Sequence, residues 1–296
     1  MPDTLILPLL AVHISDGVLT WPWWSGGFAL AIGLAVLGAW RIRDEEIPQV
    51  AVLTAAFFVA SLIHVPLGPI TSAHLLLNGL MGMVLGTRVA LAIPVGLFLQ
   101  AALIGHGGFY SLGVNSCVMV LPALLAWQIF THLQQIPWLL RPWFRSGLVA
   151  ISCLAWMLSL VYSAVLLFSH DGIGTQQAQA FTFHPLTLSL AVGLALVGAW
   201  VERRSENAPE FPIGLLLGQL TVLATALLTS LVLAWGGQEP ESWEKLAQLL
   251  FIAHLPIALV EGIVLGFTIG FLVRVKPEML RWTLPEETEC SVEPLP

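Results

Sequence analysis

Three stretches carry most of the side chains in this 296-residue chain that could hold a metal: VHISDG at 12–17, HVPLGPITSAHLLLNG at 64–79 and GHGGFYSLGVN at 105–115. Imidazole nitrogen suits borderline divalent metals such as Ni(II) and Co(II), and the Irving–Williams order makes nickel a strong competitor at nitrogen sites. A histidine in the second position of a mature chain offers more. Its Nδ1, its own amide nitrogen and the free α-amine close fused chelate rings around one metal. A second imidazole from elsewhere then completes a plane of nitrogens that favours Ni(II) or Cu(II) over tetrahedral Zn(II). Such ligands bind deprotonated, so affinity falls with pH. Glycine and proline punctuate the second and third stretches. Non-helical backbone of this kind survives at membrane depth only where protein or water surrounds it, which makes these stretches candidate cavity linings.

The elements that must position these residues are membrane helices. The chain is 57% hydrophobic and 10% charged, with mean hydropathy +0.87, outside the range of a domain with a solvated surface. Apolar runs of helical length at 25–40, 48–64, 74–87, 89–104, 116–131, 147–168, 185–201, 211–235 and 247–273 predict an all-α polytopic membrane helix bundle of about nine spans. Polar alternation of the barrel type is absent. Arg41, Arg43, Arg88, Arg141, Arg145, Arg203, Arg204, Arg274, Lys276 and Arg281 follow odd-numbered runs, against Lys245 alone on the other side. By the positive-inside rule the N-terminus is outside and the C-terminus cytoplasmic. His13, His64, His74, His106, His170 and His184 then fall at the outer side, with Glu239, Glu241 and Glu244 in an outer loop, and His132 alone goes inward.

Several function classes drop out. A net charge of −7 leaves no basic patch for nucleic acid. Lys245 and Lys276 are the only lysines, and neither lies in a GxxxxGK[ST] motif, so the chain has no P-loop. There is no HExxH and no Cys/His deaminase signature, which argues against an intramembrane metalloenzyme. Cys117, Cys153 and Cys290 lack thiolate-site spacing and read as packing or lipid-facing residues. The tryptophans gather at run ends, as interfacial anchors do.

Other residues admit two readings. Asn78 and Asn115 either orient histidine rings or satisfy loop backbone. His64 and His106 read as groups behind the ligands or on the entry path rather than as ligands. His254 and Glu261 are seven apart and share a helix face. An intramembrane carboxylate needs a partner or a proton, so the pair is a buried hydrogen-bonded strut or part of a substrate passage, and the strut is preferred. AIGLAVLGAW at 31–40 and AVGLALVGAW at 191–200 read alike. That likeness marks either an internal duplication or two helices using small residues for close packing.

HISDGVL, GPITSAHL, GHGGFYSLGVN and AHLPIALVEG, in this order over most of the chain, resemble the CbiM/NikM family. Members are the substrate-capturing membrane component of energy-coupling-factor (ECF) transporters for cobalt and nickel. The resemblance implies a ligand set of amine, amide and imidazole from an N-terminal Met-His, plus the histidine of the TSxHL-like motif. The matching positions are Val12, His13 and His74. It also implies capture of Ni(II) or Co(II) from the outer side of a bacterial or archaeal inner membrane, as cargo and with no permanent cofactor or enzymatic step. The implied partners are a transmembrane coupling subunit, ABC-type ATPase subunits and often a small accessory membrane subunit. The alternative is a stand-alone secondary divalent-metal transporter or channel with His254 and Glu261 as a proton relay. This chain departs from the family pattern in two places. Residues 1–11 precede Val12 and are expected to be absent from the mature chain, through cleavage after Ala11 or, preferably, through initiation at a Val12 encoded by GTG. Within the membrane domain, 12–281, the section at about 147–204 reads as two helices inserted into a core of seven spans. Residues 282–296 read as a disordered cytoplasmic tail.

Overall fold

Each of the nine apolar runs contains helix in the computed structural model, which describes residues 13–62, 64–66, 72–134, 136, 138, 141–168, 175–204, 210–238, 250–252 and 254–280. Val12, residues 1–11, His170, the Glu239, Glu241 and Glu244 loop and the 282–296 tail lie outside the described residues. The helices are α1 (Trp21–Ala39), α2 (Ile47–Ser61), α3 (Asn78–Leu85), α4 (Val89–Ile104), α5 (Leu112–Leu133), α6 (Pro142–Phe168), α7 (Thr175–Thr182), α8 (Pro185–Arg204), α9 (Phe211–Gly236) and α10 (Leu255–Val275). A two-stranded antiparallel hairpin, β1 (His64–Pro66) with β2 (Ser72–His74), sits between α2 and α3 and pairs His64 opposite His74.

By length and apolarity, 7 helical stretches among the described residues could cross a bilayer, fewer than the nine read from the sequence. Of the two that fall short, α2 has 15 residues, about 22 Å at 1.5 Å per residue. The other is α3, with 8 residues. It is counted in one apolar stretch with α4, Asn78–Ile104, yet the chain reverses between them. Gly86 leaves the helix at φ 56°, Arg88 sits against the end of α1, and His74 before α3 meets His106 after α4. The short α3 is thus entered from the non-helical residues 75–77, with Leu77 in a left-handed conformation.

Two ends of the bundle follow. Arg88 donates to the carbonyls of Gly38 (2.9 Å), Trp40 (2.7 Å) and Arg41 (3.0 Å) and to Glu46 (3.0 Å). It neutralises carbonyls that α1 cannot satisfy internally. Arg145 and Glu202, both buried, pair at 3.0 Å between α6 and α8 at this same basic end. Exposed Trp40, Trp138, Trp143 and Trp200 ring it, while exposed Trp21 and Trp235 mark the histidine end, as interfacial anchors should.

Glycine sets the closest helix contacts. A Cβ on Gly214 or Gly218 of α9 would lie 2.7 or 2.8 Å from the Cα of Gly266 or Gly262 on α10, so these two helices meet backbone to backbone, the small-residue packing expected in lipid. The similar decamers behave the same way. Ala31 and Gly38 of α1 are buried, with Gly38 against the backbone of Ala90 and Leu91, and Ala191 and Ala195 of α8 are buried with Gly198 against Cys153 and Val149. Close packing accounts for the shared Ala31/Ala191 and Gly38/Gly198, whereas Gly33 and Gly193 face open space.

Candidate metal centre

His13, His74 and His106 converge at the histidine end, with one ring nitrogen of each lying within 4.8 Å of the others. Ring centroids stand 5.0 Å apart for His13 and His74, 4.9 Å for His13 and His106 and 5.3 Å for His74 and His106. Two nitrogens facing each other across a metal at about 2.1 Å would be about 4.2 Å apart, so small ring movements suffice to close the set on one ion. His13 and His74 are buried, and His106 is half-buried.

Each ring is placed by a different part of the chain. His13 precedes Ile14, whose backbone is gripped on both sides by one amide of α5. Asn115 Oδ1 accepts from the Ile14 N–H at 2.9 Å, and Asn115 Nδ2 donates to the Ile14 carbonyl at 2.9 Å. The Ser111 hydroxyl donates to the same carbonyl. Asp16, two residues on, accepts from the amides of Phe109 (2.9 Å), Tyr110 (2.8 Å) and Ser111 (3.1 Å). Its charge lies where the unsatisfied N–H groups at the start of α5 attract an anion. The N-terminal segment is thereby sewn to the loop that carries His106. That loop turns through Gly105 (φ 64°) and Gly107 (φ 78°), conformations that favour glycine. Gly108 approaches Asp16 so closely that a Cβ there would lie 2.1 Å from Oδ1.

His74 ends β2. Its Nδ1 lies 3.0 Å from the Leu75 carbonyl. A carbonyl only accepts, so Nδ1 carries the proton and Nε2 keeps the lone pair that a metal needs. The next residues, Leu76 and Leu77, donate their backbone N–H groups to Glu261 of α10. Asn78, at the start of α3, donates to Thr225 Oγ1 at 2.8 Å and to the Met119 carbonyl at 3.3 Å, tying α3 to α9 and α5. His254 immediately precedes α10, its Nδ1 donating backwards to the Leu250 carbonyl at 2.7 Å.

The geometry sorts the sequence-derived residues. His13 and His74 meet, whereas Val12 and the His64 side chain lie outside the described residues. His106, expected behind the ligands or on the entry path, stands beside the other two, half-buried where they are buried. The signal was the sequence GHGG, since glycine on both sides of a histidine allows the backbone turn that aims it inward. Asn115 holds the backbone beside His13 rather than a ring, and Asn78 joins helices. The Glu261 carboxylate bonds to loop backbone, and His254 bonds to the Leu250 carbonyl in the residues ahead of α10. Asp16 and Ser111 were not singled out by their types, because carboxylates and hydroxyls near glycine are ordinary in loops.

The fold and the cluster together define a class: a multi-pass α-helical membrane protein with buried imidazoles gathered near one end of the bundle. The sequence profile described as "CbiM: Cobalt uptake substrate-specific transmembrane region" matches residues 13–187 and 166–279. The chain belongs to that family. Among relatives, a putative metal transport protein of Haemophilus influenzae is 45% identical over 119 residues, 40% of this chain. The chain spans 57% of that relative's length. Putative cobalt transport protein CbiM 1 of Methanocorpusculum labreanum is 25% identical over 278 residues, covering 91% of this chain and 92% of that one. A solved structure entitled "Crystal Structure of an transition metal transporter" aligns over 91% of this chain and 96% of its own, at 20% identity and TM-score 0.47.

Proposed function

We propose that this protein captures Ni(II) or Co(II) at the histidine end, from outside the cell, and passes it across a bacterial or archaeal inner membrane as the substrate-specific subunit of an ATP-driven ECF-type importer. The observation that carries the reading is the meeting of His13, His74 and His106, three neutral nitrogen donors of the kind late first-row divalent metals prefer. The metal is cargo. In this reading the amide of His13 and an α-amine at Val12 supply further nitrogens, giving the planar set that suits Ni(II) and that a protein can also impose on Co(II). The placing of basic residues supports the orientation.

The chain carries no P-loop, so energy comes from partners: a transmembrane coupling subunit, ABC-type ATPase subunits and, in some systems, a small accessory membrane subunit. Family membership supports this. Uptake of radioactive Ni(II) or Co(II) into proteoliposomes tests it. We expect uptake only when coupling and ATPase subunits are co-reconstituted with ATP. Uptake by this chain alone would replace the reading with a stand-alone transporter or channel. Calorimetry of both metals on the purified protein, with intact-mass analysis of its N-terminus, tests the ligand set. Tight binding by a chain that retains residues 1–11 rejects the amine ligand and leaves the imidazoles.

A further inference from the structure

The three imidazoles are anchored to different parts of the bundle. His13 and His106 belong to one unit, in which Asn115 and Ser111 grip Ile14 and Asp16 binds the 109–111 amides. That unit is built on the start of α5. His74 belongs to another, and its anchor is Glu261.

Glu261 lies six residues into α10, about 9 Å along its axis, and is 3% exposed. At that depth non-helical backbone has no water to bond, and each unsatisfied N–H costs several kcal/mol. The Glu261 carboxylate takes both donors: Leu76 N–H on Oε1, and Leu77 N–H at 2.9 Å from Oε1 and 3.1 Å from Oε2. Leu77 has φ 48°, a left-handed conformation that a leucine adopts only when its surroundings hold it there. Two residues before Leu76 stands His74, its ring tied through Nδ1 to the intervening Leu75 carbonyl. The carboxylate therefore fixes the backbone that fixes the ring. Glu261 is itself fixed, because the adjoining Gly262 sits in the backbone contact of α10 with α9, where a Cβ would lie 2.6 Å from the Leu215 carbonyl.

Resting on the reading of the cluster as a metal site, we propose that Glu261 is the positioning residue that sets His74 against His13 and His106, so that metal affinity depends on where α10 stands relative to the start of α5. Movement of α10 draws one imidazole away from the other two. The site then opens without any change in the ligands themselves, which gives the partner subunits a mechanical route to release.

The test is calorimetry of Ni(II) binding with the d–d absorption spectrum of the bound ion, on the full chain in lipid nanodiscs. Glu261→Gln keeps a carbonyl oxygen for the two N–H groups and is expected to bind nearly as wild type. Glu261→Asp, which draws the carboxylate back, and Glu261→Ala, which removes it, are expected to weaken binding by about 10-fold or more and to shift the spectrum. In a His74→Ala background the residual Ni(II) binding is expected to be the same with or without the Glu261 carboxylate, because it acts through that ring. Wild-type affinity and spectrum in Glu261→Asp and Glu261→Ala would overturn the proposal, as would an equal loss whether or not the His74 ring is present. Should Glu261→Ala fail to fold, the contrast between Asp and Gln decides, since equal affinity for those two also overturns it. If His74→Ala alone binds as wild type, the metal-site reading itself is rejected.

Discussion

At the scale of single residues, the cluster and its supports make separable predictions. His13→Ala and His74→Ala are each expected to abolish tight Ni(II) binding, and His106→Ala to weaken it by about 10-fold or more. His132→Ala, at the far end of α5, is expected to bind as wild type in the same calorimetric series. Equal loss from all four would mean general damage rather than a site. Asn115 is expected to separate support from ligation. Asn115→Asp loses the donor to the Ile14 carbonyl and faces it with a like-charged oxygen, so binding weakens although no ligand is lost. Because protons compete with the metal for imidazole, affinity measured across a pH series should fall as pH falls.

At the scale of elements, the stabilising contacts are close helix packing and a small number of buried ionic bonds. Gly262→Ala places a Cβ 2.6 Å from the Leu215 carbonyl and 2.7 Å from Gln219 Cγ. Overpacking of that kind costs about 1–3 kcal/mol, which thermal unfolding in detergent should register as a lowered midpoint. The Arg145–Glu202 pair joins α6 to α8. Glu202→Ala leaves a buried guanidinium without its main countercharge and is expected to cost about 3–5 kcal/mol, whereas replacing both partners by apolar residues is expected to be nearly neutral. At the α1 to α2 turn, the Arg43 amide and then Arg88 hold the Glu46 carboxyl below its ordinary value of 4.5. A carboxyl depressed in the folded state contributes stability above its ordinary pKa and loses it as pH falls through the depressed value. Glu46→Gln should therefore flatten the stability profile below about pH 4.5 and leave its shape at neutral pH unchanged.

At the scale of the whole molecule, one asymmetry organises the protein, with arginines at one end of the bundle and the imidazole cluster at the other. The orientation predicts that reporter fusions after Arg204 and after Leu280 behave as cytoplasmic, and that labelling from outside reaches the loop between Gly105 and Ser111. Opposite results would invert the proposed direction of transport. Within the section read from the sequence as an insertion, α6 and α8 pair with each other, and α6 packs along α9 and α10, the pair of helices that carries Glu261. Of the two, α6 is thus the one that lies against the helices holding Glu261.

Run length and the absence of polar alternation determined that the chain is a membrane helix bundle, because hydrocarbon admits only helices and closed barrels and barrel strands would alternate. The arginine pattern showed which helix ends lie together, since charge partitions by loop rather than by fold, and the histidine types pointed to nitrogen ligation. What sequence could not decide was distance. The glycines flanking His106 allow a turn, but nothing local sets the distance of its ring from His13 and His74. Similarly, α3 begins only at Asn78, after non-helical residues whose backbone is held by an anchor 184 positions from Leu77, Glu261. Apolar patterning carries no record of such a bond. Long-range hydrogen bonds and backbone contacts bring scattered histidines into one cluster, and only the tertiary structure contains them.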